Sequence, residues 1–429
     1  MSWFWPEGFY AAAMLGAFAA GAFVFRLPIA IAMSAAAVLG ALLGGEGVPI
    51  RHLVEGAFGY IDTILIIASA MIYMKTLQKT GLLESLAAFV IRKFRNSPLS
   101  LSLGLVGIVM VPGMITGSST AAVLTAGALV APVMMRLNVP ADRAGALIAM
   151  AAIYGMIAPP VNIPAMIIGG GIDMPYVGFA GPLLACTLPL AAYSAVTLVY
   201  PYLRASGGGG TELETELQRM ERVPLSWRLL IPVWVLVILM AGEQFFPEVW
   251  PPLGLPVDFV LSALSALLSG SRFDLPEAST EAIRDSLPVM GILMGVGMFI
   301  QIMTLIGVQG FVVVSALALP SVLIYLAIAT TIPLFGAISA FGAASILGVP
   351  FVLALLGKDT IVVTAAVSLI AGLGDLMPPT ALAGIFAAQV IGEDNYFVVL
   401  RRCIVPGLVT AIWGIVLILG ANGVAAMLN

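Results

Sequence analysis

The sequence predicts an all-α polytopic membrane protein made of two repeats of inverted topology, each with a re-entrant helical hairpin and a discontinuous helix. Three observations predict it. Of the 429 residues, 61% are hydrophobic and 9% are charged, whereas a soluble domain carries about 25% charged residues. The apolar residues form long runs rather than short alternating segments, which favours helices over a β-barrel. Interruptions rich in Gly, Pro and Ser then recur in the same order in both halves.

The same composition excludes several classes of protein. So little charge could not cover a water-facing surface, and a net charge of −4 offers no basic face for phosphates, so soluble enzymes and nucleic-acid-binding proteins are excluded. The chain has no HExxH motif, and its one histidine, His52, which we place in an outward loop, cannot hold a metal alone. The chain is therefore not predicted to be an enzyme.

The first half, residues 1–203, begins with three apolar runs that are long enough, or nearly so, to cross about 30 Å as helices. They cover residues 8–25, 27–44 and 57–74. Residues 82–94 are shorter and amphipathic and end in basic residues, which predicts an interfacial arm helix. A last span of this half covers 178–203.

Two interrupted segments lie between the arm helix and that last span. Residues 98–135 form two apolar pieces around a polar tip at 113–121. Each piece has about 14 residues, or roughly 21 Å at 1.5 Å per residue, which is too short to cross and predicts a re-entrant hairpin. The segment 141–171 is broken at 158–162, where two prolines remove donors and disfavour helix before them. This predicts a discontinuous helix with an unwound centre.

The second half, residues 227–429, follows a Gly-rich and charged segment at 204–226, which is predicted to be a linker. The order of elements then repeats. Predicted spans cover residues 227–246, 256–270, 286–305 and 404–426. The second hairpin has its tip at 336–345, and the second broken helix covers 360–392.

The spacing of the interruptions is similar in the two halves. Gly113 and Pro159 are 46 residues apart, and Gly336 and Pro378 are 42 residues apart. An internal repeat with paired, interrupted helices is typical of secondary transporters, whose binding sites lie where the unwound segments meet.

The charges of the loops predict the orientation. Five crossings per half would turn the second half upside down relative to the first. On that topology sixteen of the 18 Lys and Arg residues lie on one side, which the positive-inside rule identifies as the cytoplasm. They are Arg26, Lys75, Lys79, Arg92, Lys93, Arg95, Arg136, Arg143, Arg204, Arg219, Arg222, Arg228, Arg272, Arg284, Arg401 and Arg402. Only Arg51 and Lys358 lie on the other side, so both termini are predicted to be periplasmic and the linker cytoplasmic.

The tips and the breaks form the predicted site. Carbonyl and hydroxyl oxygens suit a dehydrated hard cation such as Na⁺, and the N-termini of half-helices suit an anion. One ion site is predicted at Thr116, Gly117, Ser118, Ser119 and Asn162. The other is predicted at Ile338, Ser339, Gly342, Asp375 and Thr380. The substrate is predicted to lie between the tips, at Ser118, Ser119, Pro159, Pro160, Gly342, Pro378 and Pro379.

Each of these interpretations has an alternative. The small residues of the tips could simply allow helices to pack closely. Asp375, as an acid within an apolar segment, is expected to be functional, but it could also cap a helix end beside Gly374.

Four motifs carry a resemblance to a known family. They are Gly81-Leu82-Leu83, Ile115-Thr116-Gly117-Ser118-Ser119-Thr120-Ala121, Ala158-Pro159-Pro160 and Met377-Pro378-Pro379-Thr380. With them, the chain resembles the large membrane subunit of the TRAP transporters (tripartite ATP-independent periplasmic transporters), a permease of the ion transporter superfamily. The resemblance runs from Leu27 onward. The hydroxyls around both Pro-Pro breaks are placed differently from the family's usual pattern.

The resemblance implies an elevator-type mechanism, in which hairpins and broken helices slide against a scaffold of outer spans. It implies import of an organic acid, such as a dicarboxylate, with Na⁺ as the coupling ion and no covalent cofactor. The implied partners are a small four-helix membrane subunit, a periplasmic substrate-binding protein and the lipid bilayer of the bacterial inner membrane, but no nucleic acid. One alternative is a stand-alone Na⁺- or H⁺-coupled carboxylate or ion carrier without a binding protein. A channel and a membrane enzyme are further alternatives.

Overall fold

The computed structural model describes residues 5–206, 215, 217, 225–246 and 248–428, and over these residues the chain is helical and contains no strand. Most of the predicted linker at 204–226 lies outside the described residues. In chain order the first half contains α1 (Pro6–Phe23), α2 (Ile29–Leu43), α3 (Ile50–Phe58), α4 (Ile61–Thr80), α5 (Leu82–Phe94), α6 (Pro98–Thr116), α7 (Ser119–Arg136), α8 (Ala141–Ile157), α9 (Ile163–Gly170) and α10 (Ala180–Ser206).

The helices of the second half differ in part from those of the first, since Leu275–Leu305 is one continuous helix where the first half has α3 and α4. They are α11 (Ile231–Phe245), α12 (Leu255–Leu268), α13 (Leu275–Leu305), α14 (Val308–Leu317), α15 (Ser321–Gly336), α16 (Ala340–Ala354), α17 (Thr360–Leu376), α18 (Leu382–Val390), α19 (Tyr396–Leu419) and α20 (Ala421–Leu428). Helices α7, α10 and α16 each contain one π-helical turn.

Six helical stretches among the described residues are long and apolar enough to cross a membrane. They are Ile50–Thr80, Pro98–Thr116, Ser119–Arg136, Ala180–Ser206, Leu275–Leu305 and Tyr396–Leu419. The predicted class, an all-α polytopic membrane protein, is confirmed.

The arms of the first hairpin are longer than predicted. Pro98–Thr116 has 19 residues and Ser119–Arg136 has 18, so they measure about 28 Å and 27 Å at 1.5 Å per residue. The prediction ended the first arm at the polar tip, but α6 continues as helix through Pro112 and Gly113. The length argument for a re-entrant hairpin was therefore wrong for this pair of helices, and the re-entrant path itself stays a prediction.

Helix α13 begins at Leu275, before the predicted span at 286–305. Its first turns are charged, so hydropathy missed them. The Nζ of Lys79 lies 2.9 Å from Oε1 of Glu281, and the Nζ of Lys75 lies 2.8 Å from Oδ2 of Asp285. These ion pairs join the start of α13 to the end of α4.

His52 lies within helix α3 and not in a loop, which corrects the sequence interpretation. Its Nδ1 is 3.5 Å from a carboxylate oxygen of Glu55, and the same carboxylate accepts a 2.7 Å bond from Arg51 one turn earlier. The spacing of three and four residues along a helix brings these side chains together.

The helices pack in two groups. In the first group, α13 lies against α2, α3 and α4, α1 lies against α2, and α12 lies against α4 and α11. In the second group, α8 and α17 are surrounded by α6, α10, α15, α18 and α19. Residues 144–157 of α8 are all buried. Both hairpins and both broken helices belong to the second group, so the predicted sites lie within it and at its boundary with the first.

Candidate functional site

The first hairpin turns at Gly117 and Ser118. Gly117 has a φ of +64°, a left-handed conformation that glycine adopts without steric cost, and it ends α6. Ser118 then begins α7 as its N-cap, because its hydroxyl accepts a 3.2 Å bond from the N–H of Ala121. The hydroxyl of buried Thr116 donates to the carbonyl of Pro112 at 2.7 Å. Short-range hydrogen bonds therefore stabilise the turn at the tip.

The second tip has the same kind of cap. The hydroxyl of Ser339 accepts a 3.1 Å bond from the N–H of Gly342, and α16 begins there. Thr380, from the second break, donates its hydroxyl to the carbonyl of Ala337 at 2.6 Å. Ile338 is half-buried beside this bond. Four of the five residues predicted for the second ion site thus lie in one small region.

The two broken helices have related but unequal breaks. Pro159–Pro160 and Pro378–Pro379 both contain a cis peptide bond; the first pair is half-buried and the second is exposed. After the first break, Asn162 caps α9 by accepting a 2.9 Å bond from the N–H of Ala165. After the second break, Ala381 occupies the cap position of α18, with a φ of +35° and no side chain that can accept. The first N–H groups of α18 are therefore without a side-chain cap.

Two hydrogen bonds join the halves at the site. The hydroxyl of Ser119, on the first hairpin, donates to Oδ2 of Asp375, at the second break, and both residues are buried. The amide nitrogen of Asn162, at the first break, donates to the hydroxyl of Ser368 in α17 at 2.9 Å. Asp375, which the sequence assigned to the second site, thus contacts Ser119 of the first, and its carboxylate accepts from the other half instead of capping its own helix.

Ser368 bonds to a predicted site residue, Asn162, and is a contact that the sequence interpretation missed. It precedes Asp375 by seven residues, two helical turns, so the two side chains share one face of the helix. A buried serine two turns before an intramembrane acid was the signal that could have found it.

Glycines set the distance between the first arm of each hairpin and the broken helix of its own half. A Cβ on Gly113 would lie 2.8 Å from the carbonyl carbon of Gly155, and a Cβ on Gly336 would lie 2.5 Å from the Cα of Gly374. Both distances are shorter than real Cβ atoms allow. Close packing, the alternative for the small residues, is therefore correct for these two pairs.

The second arm of each hairpin packs against the broken helices of both halves. Helix α7 lies against α18, which follows the second break, and α16 lies against α9, which follows the first break. Each half therefore supplies a hairpin arm to the broken helix of the other half, and the bond between Ser119 and Asp375 lies at one of these exchanges.

A cavity of about 550 Å³ lies between the first hairpin and helices α4 and α13. Its walls include Thr116 and Ser118 from the tip and the ion pair of Lys75 with Asp285 at its far end. Arg284 also lines it, is exposed, and has no ion pair with any residue that the structure describes. The cavity thus connects the tip with a charged region at the ends of α4 and α13.

The atoms of the candidate site that could coordinate a cation are oxygens. Over the described residues there is no group of three or more His, Cys, Asp or Glu side chains that could hold a metal ion. Because the hydroxyl proton of Ser119 is used in the bond to Asp375, the lone pairs of its oxygen are free to accept. Hydroxyl, carboxylate and carbonyl oxygens are ligands for hard cations.

Residues 15–423 match the model of the family described as "Tripartite ATP-independent periplasmic transporter, DctM component". The chain belongs to this family. It is therefore a TRAP transporter large permease, in a family of transporters and not of enzymes, and the resemblance seen in the tips and breaks is confirmed.

The isethionate TRAP transporter permease protein DctMQ of Oleidesulfovibrio alaskensis is similar to this permease, with 28% identity over 224 residues. The matched segment covers 50% of this chain and 34% of the relative's length. This chain therefore matches only about a third of that relative.

Two solved transporters have a similar fold. The YdaH transporter of Alcanivorax borkumensis aligns with a TM-score of 0.61 and 17% identity, covering 86% of this chain and 88% of its own. MtrF of Neisseria gonorrhoeae, from a class of antimetabolite efflux pumps, aligns with a TM-score of 0.60 and 14% identity, covering 87% and 84%. At such low sequence identity, the similarity to these two transporters concerns the fold alone.

Proposed function

We propose that this permease imports an organic acid bearing a carboxylate, such as a dicarboxylate, together with Na⁺, as the large subunit of a TRAP system in the bacterial inner membrane. The observation that carries the proposal is the contact between Ser119 and Asp375. It places a buried acid and a hydroxyl from opposite halves at the meeting point of a tip and a break. Ionisable groups within apolar helices commonly mark ion or substrate pathways.

Na⁺ would be coordinated at this contact. Asp375 offers a second carboxylate oxygen, Ser119 offers its lone pairs, and backbone carbonyls around Thr116 complete an all-oxygen shell. Because these ligands come from both halves, the bound ion would hold the first tip against the second break. The corresponding second site would use Ser339 and Thr380 around the second tip. Coupling would follow because an unliganded tip is held less firmly than a liganded one.

The anionic substrate would bind between the tips. Helix N-termini attract anions through their free N–H groups and their dipole. At α7, α9 and α16 these groups are partly used by the caps Ser118, Asn162 and Ser339. At α18 no side chain caps the helix, so its N-terminus, beside Pro378–Pro379, is the one we assign to a substrate carboxylate.

The packing supports an elevator-type mechanism with two inverted repeats, residues 1–203 and 227–429. The group with both hairpins and both broken helices would be the mobile core, and α1–α4 with α11–α13 the scaffold. The 550 Å³ cavity lies at their boundary and reaches Lys75 and Arg284, which the charge rule assigns to the cytoplasmic side. The structure would thus correspond to an inward-facing state.

Two partners follow from this proposal: a small four-helix membrane subunit and a periplasmic protein that delivers the substrate. The isethionate permease DctMQ suggests that a sulfonate belongs among the candidate substrates. A stand-alone carrier of the same fold is the competing possibility, and the requirement for a binding protein separates the two.

The test is uptake by the permease reconstituted in liposomes, alone and with its co-purified partners. A panel of labelled dicarboxylates, monocarboxylates and isethionate should enter only with an inward Na⁺ gradient and only with the partners present. Uptake driven equally by a proton gradient without Na⁺ would contradict the coupling ion. Saturable uptake by the permease alone would favour the stand-alone carrier.

A further inference from the structure

An apolar groove of about 760 Å³ lies between α15, α17 and α19, separate from the 550 Å³ cavity at the first hairpin. Leu334 of α15, Leu376 of α17, and Ile404 and Leu408 of α19 are among its walls. Arg401 is the one charged side chain among the described residues that line it, and it lies toward the N-terminal end of α19. The groove therefore has an apolar length and a single cationic end.

The first half fills the corresponding space with its own chain. There α6 packs along α10, including the π-helical turn Ala195–Val199 and the residues that follow it. In the second half α19 is an uninterrupted α-helix, and it meets α15 over a much shorter stretch. Leu334 and Leu408 are consequently 69% and 60% exposed within this chain. Within the described residues, no other part of the chain covers them.

The length and the charge of the groove fit one kind of ligand. From Arg401 to Ala411, both of which line it, α19 rises by about 15 Å, which is half of a hydrocarbon core of about 30 Å. This is the depth of one leaflet, the extent of a single layer of acyl chains. Arg402 is paired with Asp142 at 2.6 Å, whereas Arg401 has no ion pair with any described residue. A guanidinium in this position suits a phosphate oxygen.

We propose that the groove binds one anionic phospholipid, with its phosphate on Arg401 and an acyl chain along α15 and α19. The acyl chain would contact Met377 and Pro378 of the second break, which also line the groove. All three walls belong to the packing group that contains the hairpins. The lipid would therefore hold the second hairpin and the second break together. Basic pockets between membrane helices on the cytoplasmic side commonly bind anionic lipid headgroups.

The test is binding of phosphatidylglycerol to the delipidated permease, followed by native mass spectrometry. Arg401→Gln should weaken binding of one lipid by about tenfold, and Arg401→Lys by less. Gly407→Leu should also weaken it, because Gly407 lines the groove and a Cβ there meets nothing closer than 3.9 Å, so the longer side chain would enter the groove. Gly16→Leu, on α1 with nothing within 4 Å, is the matched control.

Three outcomes would overturn the proposal. One is equal binding of phosphatidylglycerol by the wild type, Arg401→Gln and Gly407→Leu. Another is that glycerol phosphate, which has no acyl chain, competes as well as the lipid, since the groove would then have no role. The third is that Gly407→Leu removes a co-purifying membrane subunit while lipid binding is unchanged, which would make the groove a protein interface. Arg401 is exposed, so its replacement tests the proposal even if Gly407→Leu does not fold.

Discussion

The hydroxyl of Ser119 donates a hydrogen bond to the carboxylate of Asp375, 256 residues further along the chain. The bond links the tip of the first hairpin to the break of the second broken helix. Both residues are buried among apolar helices, where a polar pair costs stability unless it is satisfied. The bond lies where a hairpin arm of one half packs against the broken helix of the other half. It is therefore the most direct place to test the proposed coupling of Na⁺ to uptake.

Ser119→Ala and Asp375→Asn should each abolish Na⁺-stimulated uptake while the protein is still expressed. The double variant should be no worse than either single one, because the two side chains act as a unit. Uptake in liposomes with and without a Na⁺ gradient is the measurement. Ser69→Ala is the control, since Ser69 is also buried but bonds only to carbonyls of its own helix. Uptake at the wild-type level in either site variant would contradict the assignment.

Ser118→Ala combined with Ser339→Ala should also abolish Na⁺-stimulated uptake without loss of expression. Each serine caps the second arm of its hairpin, and loss of a cap costs about 1 kcal/mol. This loss of stability is too small to unfold the protein, but it weakens the turn at both tips. Asp274→Ala is the control, because Asp274 caps α13 with the same geometry, far from the tips in sequence. If Asp274→Ala impairs uptake as strongly, the effect is one of stability and not of the site.

The order of elements could be predicted from the sequence, but the contacts between the two predicted ion sites could not. The Gly-Ser tips and the Pro-Pro breaks interrupt the helical pattern locally, so a short stretch of sequence is enough to locate each of them. The bond between Ser119 and Asp375, by contrast, depends on how two halves pack crosswise, and no local pattern encodes that. The start of α13 was missed for another reason: its charges are neutralised by Lys75 and Lys79, which only the fold brings near.

Arg284→Glu should change the charge selectivity of the 550 Å³ cavity at the first hairpin. With both buried cysteines replaced by Ala, a cysteine at Ala121, which lines the cavity, reports access through it. The ratio of its reaction rates with an anionic and a cationic methanethiosulfonate reagent should fall by about fivefold in Arg284→Glu, since one reversed charge acts over roughly a Debye length. Arg272→Glu, an exposed residue that does not line the cavity, should leave the ratio unchanged. An unchanged ratio in both variants would mean that Arg284 does not influence the path.

Gly336→Ala should destabilise the permease, because the added Cβ would lie 2.5 Å from the Cα of Gly374, and backbone must move. Overpacking of this kind costs about 1–3 kcal/mol. Gly310→Ala is the opposite case: it lies within α14 with nothing within 4 Å, and alanine favours a helix over glycine by about 1 kcal/mol. Thermal unfolding in detergent should therefore show a lower Tm for Gly336→Ala and an equal or higher Tm for Gly310→Ala. Equal Tm values for both variants would contradict the close contact between α15 and α17.

The predicted orientation can be tested with cysteines on its two sides. In whole cells, a cysteine in place of Gly208, in the linker outside the described residues, should be unreachable by a membrane-impermeant thiol reagent. A cysteine in place of Val48, which is exposed between α2 and α3 on the side with few basic residues, should be labelled. After lysis both should react, which shows that each thiol is accessible in principle. Labelling of Gly208→Cys but not of Val48→Cys in intact cells would reverse the topology, and with it the assignment of the 550 Å³ cavity to the cytoplasmic side.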